Sequence, residues 1–276
     1  MGSLRDQVDQ LTVVDVSPRS EVRNAPPPGL DHVIDGSANH GYGWACNLGI
    51  AAADGDLVLI SNPDVVYEPG SVAAVARAAA DGALVTPVQT DRRGSRDPAD
   101  TYDSLQMGIS VAASANRWTG LGRRRFDADR AAALTRDTEV LEVPGGMTLG
   151  GASMMTTRAT WDRLGGFDER YFLYQDDADL SLRARAAGIP LRIALRALVF
   201  HESGSARAGL DTDIMRWAVT SERIAWRAYG LPVGVLVVLQ RAGMLGRALR
   251  DLRAGRRTEA HQWWHFARRP LTGWAG

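Results

Sequence analysis

Lysine is absent from the 276 residues: arginine supplies all 32 basic side chains, and 32 Asp and Glu balance them to zero formal net charge. A chain without net charge is not drawn as a whole to a polyanion, so the composition gives no reason to expect a nucleic-acid partner. Cysteine is nearly absent too. The single Cys46 cannot form an intrachain disulfide, and no charged start followed by an apolar run opens the chain, so a reducing cytosol is the default compartment. Long apolar runs are also missing, since the longest late one, Leu231 to Leu239, is too short for a hydrocarbon core of about 30 Å. What is present, 45% hydrophobic and 23% charged residues, suits one large globular domain or one domain with an appendage.

The first two hundred residues alternate strand and helix signals. Leu11 to Asp15 and His32 to Ile34 are short β-rich runs separated by a Pro-rich loop. The Gly-rich turn from Asn39 to Asn47 leads into a small-residue helix from Leu48 to Ala53, and Asp56 to Ser61 reads as a buried strand. A helix from Ser71 to Ala80 and a strand from Ala83 to Thr86 follow, an order that predicts an α/β fold with a mostly parallel sheet flanked by helices. From about Thr90 to Arg136 periodicity fades, as in an excursion lying over a site. It returns with an apolar Gly-rich stretch from Val140 to Met155, a helix near Ala159 to Leu164, a helix from Asp177 to Ala187 stopped by Gly188-Ile189-Pro190, and a strand-like run from Leu195 to Phe200.

Two acidic islands stand out. Asn62-Pro63-Asp64 follows a buried strand, at the sheet edge where open α/β folds bind ligands, and Asp64 there is placed to hold Mg²⁺ or Mn²⁺ against a diphosphate. The same tripeptide is also good turn chemistry. Asp176, Asp177 and Asp179 crowd a helix start after Tyr171-Phe172-Leu173-Tyr174. One Asp suffices for a cap, and mutual repulsion in a half-buried cluster raises a pKa toward that of a general base, the alternative being a solvated helix end. His201, just past a strand end, is either a further metal ligand or a hydrogen-bonded structural histidine.

The run Asn39-x-Gly-Tyr-Gly-x-Ala-x-Asn-Leu-Gly-Ile50, then Asn62-Pro-Asp-Val65, then Gly165-Gly-Phe-Asp-Glu-Arg-Tyr-Phe-Leu-Tyr-Gln-Asp-Asp-Ala-Asp-Leu-Ser-Leu-Arg183, then His201, resembles family 2 glycosyltransferases of GT-A fold, rhamnosyltransferase-like members above all. The resemblance covers about residues 11 to 205. It implies an inverting transfer of a sugar, rhamnose among the candidates, from a dTDP- or UDP-sugar to a hydroxyl of a cell-surface polysaccharide or lipid-linked acceptor. By position, Asp64 and His201 match the metal ligands, Asn62 standing where many members have an acidic residue. Asp177 matches the catalytic base, and Asp176 the neighbouring Glu that positions acceptor or base. Asp15 matches the residue that contacts the nucleotide base, although Val16 replaces the usual Asn. Gly151 matches a glycine lining the donor sugar, while Thr157 replaces a common Arg nearby. Asn39, Gly41, Asn47 and Asn62 fall on the donor side.

One departure is large. The family begins with a strand and a helix before the Val-Val-Asp strand, whereas here Leu4 to Gln7 already looks like the tail of that helix. Loss of a central parallel strand leaves unpaired backbone and exposed apolar surface. The expectation is a start placed too far downstream or, as the lesser alternative, a degenerate copy that binds donor without turning it over; the chain as written is then expected to fold poorly or bind donor weakly. A nucleotidyltransferase shares the metal-carboxylate logic but wants a basic, Gly-rich pyrophosphate loop, and none is seen. Residues 1–205 are read as the catalytic domain and 206–276 as a helical extension. In that extension Ile214 to Tyr229 is amphipathic, and from Arg241 to Arg269 eight Arg face only Asp251 and Glu259, with Trp263, Trp264 and Phe266 between. This basic, aromatic end suits peripheral contact with the inner face of a membrane, or equally helices packed on the domain with a solvated Arg face.

Overall fold

The computed structural model describes residues 2–19, 21–36, 38–91, 104–201 and 212–268. The chain runs through α1 (Gly2–Arg5), β1 (Thr12–Asp15), α2 (Glu21–Asn24), β2 (His32–Asp35), α3 (Tyr42–Ala51), β3 (Leu57–Ser61), β4 (Val65–Tyr67), α4 (Ser71–Ala79) and β5 (Leu84–Thr90). Next come β6 (Leu105–Met107), α5 (Val111–Thr119), α6 (Arg123–Leu134), β7 (Val140–Glu142), β8 (Met147–Leu149), β9 (Ser153–Thr157), α7 (Arg158–Leu164), α8 (Asp176–Ala186) and β10 (Leu191–His201). Three helices close the described chain: α9 (Thr212–Ala228), α10 (Val233–Arg253) and α11 (Arg257–Arg268). The expected boundary between residues 205 and 206 lies outside the described residues.

The central sheet has the order β3-β9-β5-β10-β4, with β7 also on β10. The α/β class and its flanking helices agree with the sequence reading, but the strand directions are more mixed than mostly parallel. β10 runs parallel to β5, whereas β9 is antiparallel to β3 and β5, and β4 and β7 are antiparallel to β10. Strand-helix alternation fixes direction only for strands joined by a crossover helix; β9 enters directly after β8 instead. β1 and β2 pair in parallel as a separate two-stranded sheet, leaving β3 as an edge strand with Leu57 40% exposed.

Every residue of β5 is buried, and apolar clusters cover both sheet faces, one including Leu84, Met154 and Leu180 and the other Val75, Val85 and Val199. Pro87 sits inside β5 although it has no N–H to donate. The β10 register accordingly slips between Ala194 and Leu198, beside Pro87, and the Leu195 N–H turns to the Glu139 carbonyl instead. Beyond that irregularity Val199, Phe200 and His201 pair with Tyr67, Val66 and Val65.

The weakly periodic stretch before residue 136 is an excursion only in part. Its α5 buries Ala113, Ser114, Ala115 and Trp118, and Trp118 forms a third cluster with Val219, Met244 and Phe266 from α9, α10 and α11. Three hydrogen bonds converge on buried Glu222: Ser114 Oγ and Trp118 Nε1 each donate at 2.6 Å, and Gln240 Nε2 donates at 3.1 Å.

Candidate active site

The first island is built by strand register. Asn62-Pro63-Asp64 turns the chain from β3 into β4, and because Val65 stands opposite His201, the imidazole Nε2 comes to 3.3 Å from Asp64 Oδ1. The Asp64 side chain is 43% exposed and that of His201 13%, so the pair opens to solvent from the acid's side. Asn62 Oδ1 is buried without a hydrogen-bond partner, an orphaned hard-oxygen donor in the same turn. Carboxylate, amide oxygen and imidazole together fit a small divalent ion such as Mn²⁺, or Mg²⁺ through the oxygens, with substrate phosphates completing the shell. Among the described residues no group of three or more His, Cys, Asp or Glu gathers to form a self-sufficient site.

The second island is built by a strained turn. Tyr174 and Gln175 both adopt positive φ, 68° and 70°, in a region L side chains rarely occupy, and Gln175 is the residue from which α8 starts. In the amide orientation that its partners require, the buried Gln175 oxygen accepts from the Arg117 guanidinium at 2.7 Å. Phe172 stacks on Trp217 of α9 with centroids 4.3 Å apart, and Ser221 Oγ donates to the Leu173 carbonyl at 2.8 Å. The turn is therefore braced by α5 on one side and α9 on the other.

Its two central carboxyls differ. Asp176 is 5% exposed and its Oδ2 has no partner; burial first, then the charge of Asp177, push its pKa up to about 7. Asp177 is only partly covered. Its Oδ2 accepts from the Gly151 N–H at 2.9 Å and Gln106 Nε2 at 3.3 Å, and Oδ1 accepts from the Ala178 N–H at 2.7 Å. Desolvation raises its pKa against these bonds. The sequence reading attributed a raised pKa to mutual repulsion, while the structure makes burial the larger cause. Asp179 plays another part, ion-paired with Arg183 and accepting from the Tyr229 hydroxyl.

One short segment connects the islands. Between β8 and β9 the Gly151 N–H reaches Asp177, and the Ala152 carbonyl accepts from the Asn62 N–H at 2.9 Å. Tyr42 Oη donates to the Gly151 carbonyl at 3.0 Å. A Cβ on residue 151 would come within 2.8 Å of the Asp177 Cβ, so only glycine allows this approach.

The remaining donor-side candidates are held mainly by the protein itself. Asp15 Oδ1 accepts from the Ser17 N–H and Oγ, and Oδ2 from the Arg23 N–H, which holds its pKa down to about 2. Asn39 Oδ1 accepts from the Gly41 N–H at 3.0 Å. Gly41, at φ 110°, lies so close to Phe172 that a Cβ would meet its carbonyl oxygen at 2.6 Å. Asn47 spends its amide on the turn after α7, donating to the Phe167 carbonyl and Glu169 and accepting from the Phe167 N–H. The Gly-rich turn is also more helical than expected, because α3 already begins at Tyr42.

Sequence reasoning missed Gln106, Arg117, Tyr42 and Gln175 as individual site residues. Gln106 and Arg117 lie where no periodicity or motif marks them, whereas Tyr42 and Gln175 stand inside the motif stretches.

A family model described as Glycosyltransferase like family 2 matches residues 19–220. The chain is 34% identical over 195 residues to the N-acetylglucosaminyl-diphospho-decaprenol L-rhamnosyltransferases of two Mycobacterium tuberculosis strains, CDC 1551 / Oshkosh and ATCC 25618 / H37Rv. Each match covers 63% of this chain and 58% of the relative, so the chain spans less than two thirds of those relatives' length. Among solved structures it is similar to that of GalNAc-T7 with UDP, GalNAc and Mn²⁺, with a TM-score of 0.51 and 14% identity over 72% of this chain and 39% of that one. At that identity the likeness concerns the fold.

Proposed function

The chain belongs to the glycosyltransferase-like family 2, and on that premise we propose that it moves a sugar, rhamnose in the first instance, from a nucleoside-diphosphate donor to a hydroxyl of a polysaccharide or lipid-linked acceptor. The 34%-identical relatives named as rhamnosyltransferases acting on a diphospho-decaprenol acceptor support this choice of donor sugar and acceptor class. A dTDP- or UDP-linked sugar is the proposed donor.

The observation that carries the reading is the backbone strut at Gly151 and Ala152, which ties the Asn62 turn to the Asp177 carboxylate. A leaving group and an attacking hydroxyl need chemistry at fixed separation on opposite sides of one anomeric carbon. Asp177 is the proposed base, accepting the acceptor hydroxyl's proton as that oxygen attacks, with inversion and no covalent enzyme intermediate. Asp176, kept protonated by burial up to about pH 7, orients the acceptor or the base. Asp64 and His201, with the unpartnered Asn62 Oδ1 two residues before Asp64 in the same turn, are proposed to hold Mn²⁺ or Mg²⁺. Such an ion, when bound, neutralises charge on the departing diphosphate. Asp15, Asn39, Gly41 and Asn47 are proposed to shape the donor pocket chiefly by fixing the loops around it.

The test separates the roles. Asp177→Asn is expected to reduce transfer at least about 100-fold while leaving Mn²⁺-dependent donor binding, followed by calorimetry, within about threefold. Loss of donor binding instead would sink the base assignment. The released product distinguishes the competing chemistry: nucleoside diphosphate marks glycosyl transfer, and pyrophosphate a nucleotidyltransferase.

A further inference from the structure

We infer that the outer face of α10, together with α11, is a docking surface for a bilayer carrying anionic phospholipid. The inner face of α10 buries Leu236, Gln240, Gly243, Met244 and Ala248. Its outer face is apolar as well, which a helix merely covering a domain does not need. Val235, Val238, Leu249 and Leu252 are 42%, 65%, 53% and 57% exposed, and their spacing keeps them on one side of the helix for nearly its whole length. On α11, Trp264 is 48% exposed beside them.

Cationic groups border this stripe. Arg241, Arg250, Arg253, Arg257 and Arg268 are exposed, and among the described residues none forms a salt bridge; Asp251, the one acid of α10, is buried and paired with Arg256. A shallow cavity of about 450 Å³ opens where the two helices meet, lined by Arg241, Leu245, Trp264, Ala267 and Arg268. The Arg268 guanidinium lies over the Trp264 ring at 5.7 Å. Two guanidiniums flanking an apolar groove, with an indole at its lip, match a phosphate headgroup and the upper part of its acyl chain. Among the described residues no helix is long and apolar enough to cross a membrane, so this face lies along the surface of one.

Charge selects this occupant over the others. A second copy would bring Arg-rich faces together, and nucleic acid would leave the apolar stripe without a partner. The surface requires no donor, so its test is independent of sugar transfer.

The full chain is sedimented with vesicles of phosphatidylglycerol in phosphatidylcholine and with pure phosphatidylcholine vesicles. The expected result is binding to the first, little to the second, and weakening by salt. Arg241→Gln with Arg268→Gln is expected to lower partitioning at least about tenfold, from roughly fivefold per charge. Val238→Asp with Leu249→Asp is expected to abolish it, with unchanged circular dichroism and thermal midpoint because both positions face solvent. Equal binding to both vesicle types, no binding to either, or a dimer dispersed by the Val238→Asp pair would each overturn the inference.

Discussion

At the scale of single residues, the site depends on positions where chemistry and packing make opposite demands. Asp176 is a carboxyl in a place made for a neutral group. In the unfolded chain it ionises near 3.8, whereas in the folded protein it keeps its proton to about 7. Between those values the folded state binds more protons than the unfolded one, so this residue subtracts stability progressively as pH rises from about 4 to about 7. Urea denaturation across that range is expected to show Asp176→Asn gaining on the native protein as pH increases, and parallel curves would contradict the buried assignment. Gly151 makes the opposite demand, for space. Gly151→Ala places a methyl against the Asp177 Cβ, so turnover, measured as kcat, is expected to fall about 100-fold or more.

These residues were unevenly legible. Asp64, Asp177 and His201 were singled out through the motif resemblance, since the residues alone left turn, helix-cap and structural-histidine readings open; strand register then brings His201 to Asp64. Gln106 could not be singled out, since one hydrogen bond to Asp177 asks only for an amide at a point that folding supplies. Asn47 was legible as part of a motif but not in its use, for the motif does not say whether an amide faces a ligand or the turn it clamps.

At the scale of elements, the positions of β3, α4, α7, α8 and α9 followed from apolar period and turn residues, and most boundaries fell within a few positions. Strand direction did not follow, because pairing is decided by partners far away in sequence, as with β3 and β9. The register slip at Pro87 shows how a local rule acquires a distant effect: a missing N–H in β5 lets β10 shift, and the shifted strand ends with His201 beside Asp64. Asn47 binds two elements in a similar way, pinning the turn after α7 to α3 through three hydrogen bonds. Asn47→Ala is expected to cost about 1–3 kcal/mol in a urea titration, since the Phe167 N–H and carbonyl then lose their partner.

At the scale of the whole molecule, the helices after residue 211 pack against the rest of the chain through Trp118 of α5. α5, from the stretch whose sequence showed little pattern, is the element they close on, and Glu222 accepts at once from Ser114, Trp118 and Gln240. Sequence periodicity could identify α9 as amphipathic but not what it covers, because its partner helix carries no motif. Glu222→Ala is expected to lower stability by about 3 kcal/mol by leaving three buried donors without an acceptor, and to depress transfer through the α5 and α9 braces. A variant with lowered stability but wild-type turnover would show the helices to be passive.

The stacking of Phe172 on Trp217 and the bond from Ser221 to Leu173 make the wall behind the Asp177 turn a property of the helical part, while the Asn62 turn and its strut belong to the sheet. On the proposed reading, a substitution at Trp217 or Ser221 is thus expected to alter the choice of acceptor while leaving the donor side, built on the sheet, as it was.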